Sequence, residues 1–335
     1  MTRYVIIGAG AVGGGIGGRL VAAGADVVLV ARGAHLAALQ GDGLRLRSPE
    51  EDRRLPVRAV AGPDELTLTN DDVLVLTTKT HQAQAALAGW ADAPVREGGR
   101  AGERLPVLTA LNGVASETMA LRYFARVYGV CVWMPVVHLR PGEVIIRSTP
   151  TAGVLHIGRV PIGLTDGPDH LLAGLATDWR RAGLDTHLPP DVMAWKYRKL
   201  ITNIGNAFQA LVGDNGRFGH LVQAAEAEAR AVLDAAGVRY TGDAEEAAAR
   251  ADSFTIAPVA GTPEMMGGSS WQSLARGTGT IETDYLNGEI VLLAHACGAT
   301  APINSRVAAL ARKAAAQGRS PGSLTPEELQ RLLGL

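Results

Sequence analysis

The chain has 335 residues, long for one hydrophobic core and comfortable for two domains with a cleft between them. A hydrophobic content of 47% with 19% charged residues describes a compact globule, and 32 Lys+Arg against 33 Asp+Glu leave no net field to attract nucleic acid or anionic lipid. Cys131 and Cys297 are too few and too far apart for a disulfide framework or a zinc site, and the apolar start Tyr4 to Ile7 is too short for a signal-peptide core. The expectation is a cytoplasmic protein that handles small molecules, with no metal, membrane or nucleic-acid partner and with a homodimer left open.

Arg3 to Ile7 has the pattern of a short buried strand, followed by a glycine run and an Ala/Leu-rich helical stretch that Gly24 stops. Val27 to Ala31, Pro56 to Ala61 and Asp72 to Thr77 follow as further strands, and a helix is predicted from about Thr80 to Trp90. Ala91 to Arg104 has the composition of an exposed loop, ahead of a fifth strand at Leu105 to Ala110 and a helix from Ala115. Between Tyr128 and His156 several short strands joined by turns such as Arg140-Pro141-Gly142 suggest an antiparallel extension of the sheet. Beyond Pro190 strand signals almost vanish, and helical periodicity marks Asp191 to Leu211, Gly219 to Ala236, Asp243 to Phe254 and Thr280 to Cys297. The expected architecture is therefore α/β: a Rossmann-type, mostly parallel sheet domain over 1–190, then an all-α substrate and catalytic domain over 191–335. Ile256 to Gly268, rich in Pro, Gly and Met, is a candidate active-site loop within the second.

Gly8-Ala9-Gly10-Ala11-Val12-Gly13 follows the first strand directly and opens a helix, the context that a dinucleotide fingerprint requires. Gly8 permits the tight turn, Gly10 lets the backbone approach a pyrophosphate, and Gly13 lets the helix lie close to the sheet, so that its first amides and dipole face the phosphates. The competing explanation is a glycine turn that merely packs. At the end of the second strand an acidic residue would bind the ribose 2′-hydroxyl and an arginine a 2′-phosphate. The chain has Val30-Ala31-Arg32 there, which favours NADP(H), although an exposed arginine after a strand is often only solvated. Thr77-Thr78-Lys79-Thr80-His81-Gln82 and Asn112-Gly113 end the fourth and fifth strands at the same edge. Lys79 could thereby sit near the nucleotide and Asn112 could hold the nicotinamide or substrate; an ordinary loop polar is a credible reading for His81 and less so for Asn112.

The basic residues are almost all arginine; the four lysines are Lys79, Lys196, Lys199 and Lys313. Lys199 and Asn203 stand four apart and share a helix face. Ketone reduction needs a proton donor, and a lysine desolvated in a cleft can be tuned toward neutral pH as an arginine cannot. A lysine snorkelling from an amphipathic helix is the plain alternative for Lys199, and more so for Lys196. Gly267-Gly268-Ser269-Ser270-Trp271 offers serines as an N-cap that could also cradle a carboxylate. Glu282 sits where acidic residues often complement a helix dipole, and by itself would not stand out.

Taken together, GAGAVG, Arg32, TTKTHQ with Lys79, LNG with Asn112, the KLxxN of Lys199 and Asn203, Ser269-Ser270 and the ETDYLNG containing Glu282 resemble the ketopantoate reductase family over nearly the whole chain. Tyr197, two before Lys199 where the family usually has tryptophan, registers Lys199 as the family's catalytic lysine. The resemblance implies NADPH-dependent reduction of a small 2-oxo acid, ketopantoate to pantoate first among them. Lys199 would give the proton, Glu282 would orient lysine and hydroxyl, and Asn203 and Ser270 would hold the substrate. Asn112 would border the nicotinamide, with Arg32 and Lys79 facing the 2′-phosphate. Two departures bear on the substrate: Ala207 stands where the family often has a second asparagine, with Asn206 one position early, and the segment 91–104 lengthens the first domain. A same-fold reductase acting on another oxo acid or an imine, and a non-catalytic NADP(H) sensor, are the rival readings.

Overall fold

The structure, a computed structural model, describes residues 2–163, 169–213, 218–251, 253–263 and 267–335. The chain opens with β1 (Arg3–Ile7), α1 (Ala11–Ala22), β2 (Asp26–Val30) and α2 (Gly33–Asp42), then β3 (Leu44–Arg47), β4 (Asp52–Leu55), β5 (Arg58–Val60) and β6 (Asp72–Leu76). There follow α3 (Thr80–Ala91), α4 (Ala101–Arg104), β7 (Pro106–Thr109), α5 (Ala115–Ala120), β8 (Arg126–Trp133), β9 (Val136–Val137), β10 (Glu143–Ile146), β11 (Ser148–Pro150) and β12 (Val154–Val160). Next come α6 (His170–Arg181), β13 (Asp185–His187), α7 (Val192–Asn203), α8 (Gly205–Val212), α9 (Gly219–Ala235), α10 (Asp243–Ala251) and β14 (Phe254–Ile256). The last elements are α11 (Ser269–Ala275), a 3-10 turn at Glu282–Tyr285, α12 (Asn287–Cys297), α13 (Pro302–Ala316) and α14 (Pro326–Leu333).

The described residues form two compact units, one from 1–111, 116–195 and 243–264, the other from 112–115, 196–242 and 265–335. The division is thus not one cut near Pro190: residues 191–195 and 243–264 cluster with the first unit, and 112–115 with the second.

The first unit is built on an eight-stranded sheet in the order β13-β12-β8-β7-β6-β1-β2-β5. Every neighbouring pair is parallel except β12 with β8, where the expected antiparallel extension occurs. The strands are near-continuous Val/Ile/Leu runs because both faces of a parallel sheet are covered; Val5, Ile6, Val28, Leu29, Leu74 and Val75 are fully buried. Ile7 is in register with both Val30 and Leu76, so β2, β1 and β6 end together at one edge.

Several elements differ from the sequence expectations. Leu44–Arg47 and Asp52–Leu55, unassigned from sequence, pair antiparallel and join β10 and β9 in a second sheet of order β4-β3-β10-β9. The segment expected as an exposed loop at 91–104 contributes Ala91, Ala93, Val95 and Ala101 to the core and contains α4. Burial of these small apolar residues between the charged ones outweighs its loop-like composition. Finally, the helix expected to run to Phe254 stops at Ala251, and Phe254–Ile256 pairs antiparallel with β11.

Among the described residues the second unit carries helices and no strand. Phe208, Leu211, Leu221, Leu233, Ile290 and Val307 are buried in it. Glu228 accepts the N–H groups of Ile303 and Asn304 at 3.0 and 2.9 Å, satisfying two amides that the start of α13 leaves unpaired.

Candidate active site

One candidate cluster lies at the shared edge of β2, β1 and β6. The Gly8 and Ala9 N–H groups both donate to the Val30 carbonyl, at 3.1 and 2.8 Å, and Thr77 donates its hydroxyl to the Gly8 carbonyl at 2.8 Å. Gly8 has φ +105°, a conformation that other residues adopt only under strain, and a side chain there would press on the Thr78 backbone. At Gly13 a Cβ would run into the Gly8 carbonyl and the Thr77 hydroxyl, so this glycine is required for packing. At Gly10, which precedes Ala11, Val12 and Gly13 as N-cap of α1, a Cβ would meet no protein atom within 4 Å. The outer side of the turn is therefore open at Gly10.

Arg32 is exposed at the N-cap of α2, directly after β2, and Lys79 is half-buried at the N-cap of α3, directly after β6. Both predicted cationic residues thus stand at the same sheet edge as the glycine turn. The neighbouring Thr78 has a buried hydroxyl oxygen with no hydrogen-bond partner among the described residues. A cradle open at Gly10, an orphaned hydroxyl and two cations fit a dinucleotide phosphate group.

A second candidate cluster lies in the helical unit. Lys199 and Asn203 both lie on α7, as their spacing requires, with Lys199 half-buried and Asn203 8% exposed. Asn203 donates from Nδ2 to Asn112 Oδ1 at 3.3 Å, and Asn206 donates from Nδ2 to Asn203 Oδ1 at 3.4 Å. Three carboxamides, two of them predicted, thereby form a chain beside the lysine. Lys196, three residues before Lys199, is the more deeply buried of the two lysines at 2% exposure.

Glu282 is 5% exposed, in the 3-10 turn. The long helix expected from Thr280 is broken at Leu286, so Glu282 does not belong to the first turn of α12. Two contacts place its turn. At Gly113, φ +78°, a side chain would collide with the Tyr285 carbonyl, so the backbone of Asn112-Gly113 lies against the turn. Thr283 also donates to Asn287 Oδ1 at 3.2 Å, and Asn287 donates from Nδ2 to the Ile204 carbonyl at 3.4 Å and to Asn304 Oδ1 at 3.0 Å. The Glu282 turn is therefore tied to the residue immediately after Asn203. Arg276 is an exposed residue whose guanidinium is still partly desolvated: this lowers its pKa, and the Glu282 charge opposes the shift.

Ser269 and Ser270 are the first two residues of α11, not its cap; Gly268 is the N-cap, its N–H donated to Gln209 Oε1 at 2.9 Å. With the cap position filled by glycine, the serine hydroxyls are released from that task. Ser270 is 2% exposed, and its Oγ has no hydrogen-bond partner among the described residues. A buried hydroxyl left without a partner costs about 1–3 kcal/mol, an arrangement expected where a ligand completes it. Sequence inspection missed Gln209, whose only signal is its i, i+6 spacing from Asn203, and noted Asn206 only as one position early of the family's second asparagine. Within the Ile256 to Gly268 loop, residues 257–260 are tied to the first unit, with Ala257 N–H donating to the Arg147 carbonyl and the Arg47 guanidinium to that of Ala260, while Gly267 and Gly268 belong to the second; residues 264–266 lie outside the described residues.

Comparisons with known proteins cover both regions of the chain. The profile described as ketopantoate reductase PanE/ApbA matches residues 4–161, and that of its C-terminal part matches residues 191–315. The 2-dehydropantoate 2-reductase of Mesorhizobium japonicum is 30% identical over 263 residues, covering 71% of this chain and 78% of its own. That of Pyrococcus horikoshii is 27% identical over 318 residues, covering 92% and 96%. The crystal structure of a PanE/ApbA family ketopantoate reductase from Ralstonia eutropha superposes with a TM-score of 0.74 at 27% identity, covering 95% of this chain and 99% of that one. D-mandelate dehydrogenase, solved with NADH and anilino(oxo)acetate, shares the fold with a TM-score of 0.76 at 20% identity, covering 95% and 99%. The chain belongs to the ketopantoate reductase family and is an oxidoreductase acting on a CH–OH group with a nicotinamide cofactor.

Proposed function

We propose that this protein reduces a small 2-oxo acid to the 2-hydroxy acid with NADPH, and that ketopantoate is its leading substrate. The observation that carries the reading is the carboxamide chain through Asn203 and Asn112 with a half-buried lysine one turn earlier, together with the buried Ser270 hydroxyl of α11, which has no hydrogen-bond partner among the described residues. Gly8, Gly10, Ala11, Val12 and Gly13 would hold the pyrophosphate and Arg32 and Lys79 the 2′-phosphate, while Asn112 borders the nicotinamide. The bound cofactor supplies a hydride to C2 of the substrate. Lys199 donates the proton that the carbonyl oxygen requires as charge develops on it, Glu282 orients the lysine, and Asn203 and Ser270 hold the substrate by hydrogen bonds.

Preference for NADPH over NADH rests on Arg32 in place of an acidic residue after β2. Ketopantoate is favoured by the names of the relatives that match along the chain. A different 2-oxo acid is the second reading, because Asn206 turns back to Asn203 and Ala207 is buried and apolar. The test follows NADPH consumption by the purified protein with ketopantoate, beside NADH and a panel of bulkier 2-oxo acids that includes aryl ones. NADPH-specific turnover of ketopantoate is the expected result. Turnover of another acid alone would replace the substrate, and binding of NADPH without turnover of any acid would reject the enzymatic reading in favour of a sensor.

A further inference from the structure

His35 lies in the first turn of α2, three residues after Arg32, and is half-buried. Its Nε2 is 2.7 Å from the Ala9 carbonyl, inside the glycine turn, and its Nδ1 is 2.9 Å from the backbone N–H of Gly142, in the turn before β10. An amide N–H can only donate, so Nδ1 is the acceptor and the proton must sit on Nε2, which donates to Ala9. The geometry thus admits only the neutral Nε2–H tautomer. Burial also holds the His35 pKa below the ordinary imidazole value, against the pull of the Ala9 carbonyl. The ring is tilted at 51° against that of His138, with centroids 4.3 Å apart, and His138 Nδ1 is 2.9 Å from the Glu143 carbonyl.

These contacts have a consequence for the turn. The Ala9 N–H is held by the Val30 carbonyl at 2.8 Å, and the Ala9 carbonyl is held by His35. The two peptides that flank the Ala9 Cα are therefore both held, the Gly8-Ala9 peptide by β2 and the Ala9-Gly10 peptide by α2. The latter peptide leads directly into Gly10 and the first amides of α1, and no other described residue is shown bonding the Ala9 carbonyl. We propose that His35 is a positioning residue of the dinucleotide site, a neutral imidazole that bridges the Ala9 carbonyl and the Gly142 N–H and so fixes the direction in which the first amides of α1 point. It sets cofactor affinity without touching the cofactor's reacting atoms. The inference rests on the dinucleotide reading of Gly8 to Gly13.

The experiment is a fluorescence titration of the full chain with NADPH, joined to steady-state kinetics, for wild type, His35→Ala and His35→Gln. His35→Ala should raise both the Kd and the KM for NADPH about tenfold, the size expected from losing a hydrogen bond that orients a charged-ligand site, with kcat at saturating cofactor unchanged. His35→Gln keeps a donor and an acceptor at similar reach and should recover most of the affinity. If His35→Ala does not fold, His35→Met replaces it, keeping volume while removing both hydrogen bonds. An unchanged Kd in a folded Ala or Met variant overturns the assignment, as does a fall in kcat with no change in Kd. A wild-type chain that binds no nicotinamide dinucleotide overturns the cofactor reading and the His35 assignment with it; wild-type binding with an unaffected variant overturns the assignment alone.

Discussion

Lys199 and Ser270 can be separated by what each side chain leaves behind when removed. Truncation of a positioned proton donor removes an interaction made as the carbonyl is reduced, so Lys199→Ala should lower kcat by about 10²–10⁴-fold while the NADPH Kd stays within about twofold of wild type. Lys199→Arg should not recover it, because a guanidinium keeps its proton. Wild-type turnover in either variant would remove Lys199 from the reaction. Ser270 is the sharper case, because its hydroxyl is buried and bonds nothing in the described protein. Ser270→Ala should then leave the thermal midpoint unchanged or slightly raised, since no protein hydrogen bond is lost, while the KM for the oxo acid rises by about fivefold to tenfold. A fall in stability with an unaltered KM would show that the hydroxyl serves the fold. As candidates, Lys199, Asn203 and Ser270 were legible in the sequence from compact local patterns, and Glu282 only from the resemblance to the family. The bond from Asn203 to Asn112 was not, since 91 residues separate its partners and nothing in either segment encodes their meeting. His35 was equally hidden, as a polar residue on an outer helix differs from solvated ones only in its contacts.

At the scale of the element, the strand, glycine turn and α1 can be read from sequence because one constraint, close approach of backbone to backbone, recurs at fixed spacing. The structure divides that constraint into two. Gly13 is packed against the Gly8 carbonyl and the Thr77 hydroxyl, whereas Gly10 faces no protein atom within 4 Å. Gly13→Ala should therefore destabilise the protein by about 1–3 kcal/mol through overpacking, seen as a lower denaturant midpoint. Gly10→Ala should leave that midpoint nearly unchanged and weaken NADPH binding at least about tenfold, measured by titration. Equal loss of stability in both variants would mean that the open face of Gly10 is used by the fold. Strands β3 and β4 show why other elements escaped. Leu44 and Leu46 alternate with Arg45 and Arg47, a period-two pattern, but over only four residues and among arginines that propensity assigns to a surface loop. The Arg45 guanidinium reaches Asp52 across the pair and Glu143 on β10, so tertiary pairing supplies what the short pattern lacks. The core at 91–104 follows the same logic, with a few alanines and a valine buried inside a polar segment.

At the scale of the molecule, residues 243–264 return to the first unit, and the groups near that return make stability depend on pH. His156, buried on β12, stacks on Trp195 at 3.7 Å between centroids and lies 5.2 Å from the ring of His187. His187 Nε2 is 3.1 Å from Asp185 Oδ1, and the other Asp185 oxygen accepts from the Ser253 hydroxyl at 2.6 Å, next to β14. Nearby, the Arg250 guanidinium of α10 lies over the Trp133 ring at 4.3 Å. Burial, then the neighbouring His187, lower the His156 pKa from 6.5 to about 3, with Asp185 pulling weakly the other way. The sign follows from proton counts. Between these two values the unfolded chain binds a proton at this imidazole and the folded chain does not, so acidification favours unfolding. Stability at this site is full above pH about 6.5 and falls by about 1.4 kcal/mol per pH unit until the folded imidazole itself titrates. Between pH 7 and pH 5 the loss is about 2 kcal/mol. His156→Leu removes this titration, so its unfolding free energy, measured by denaturant melts at both pH values, should fall by about 2 kcal/mol less than that of wild type over the same interval. If wild type and His156→Leu lose stability equally between pH 7 and pH 5, the buried imidazole does not govern acid unfolding, and the Asp185 and Ser253 contact becomes the group to vary.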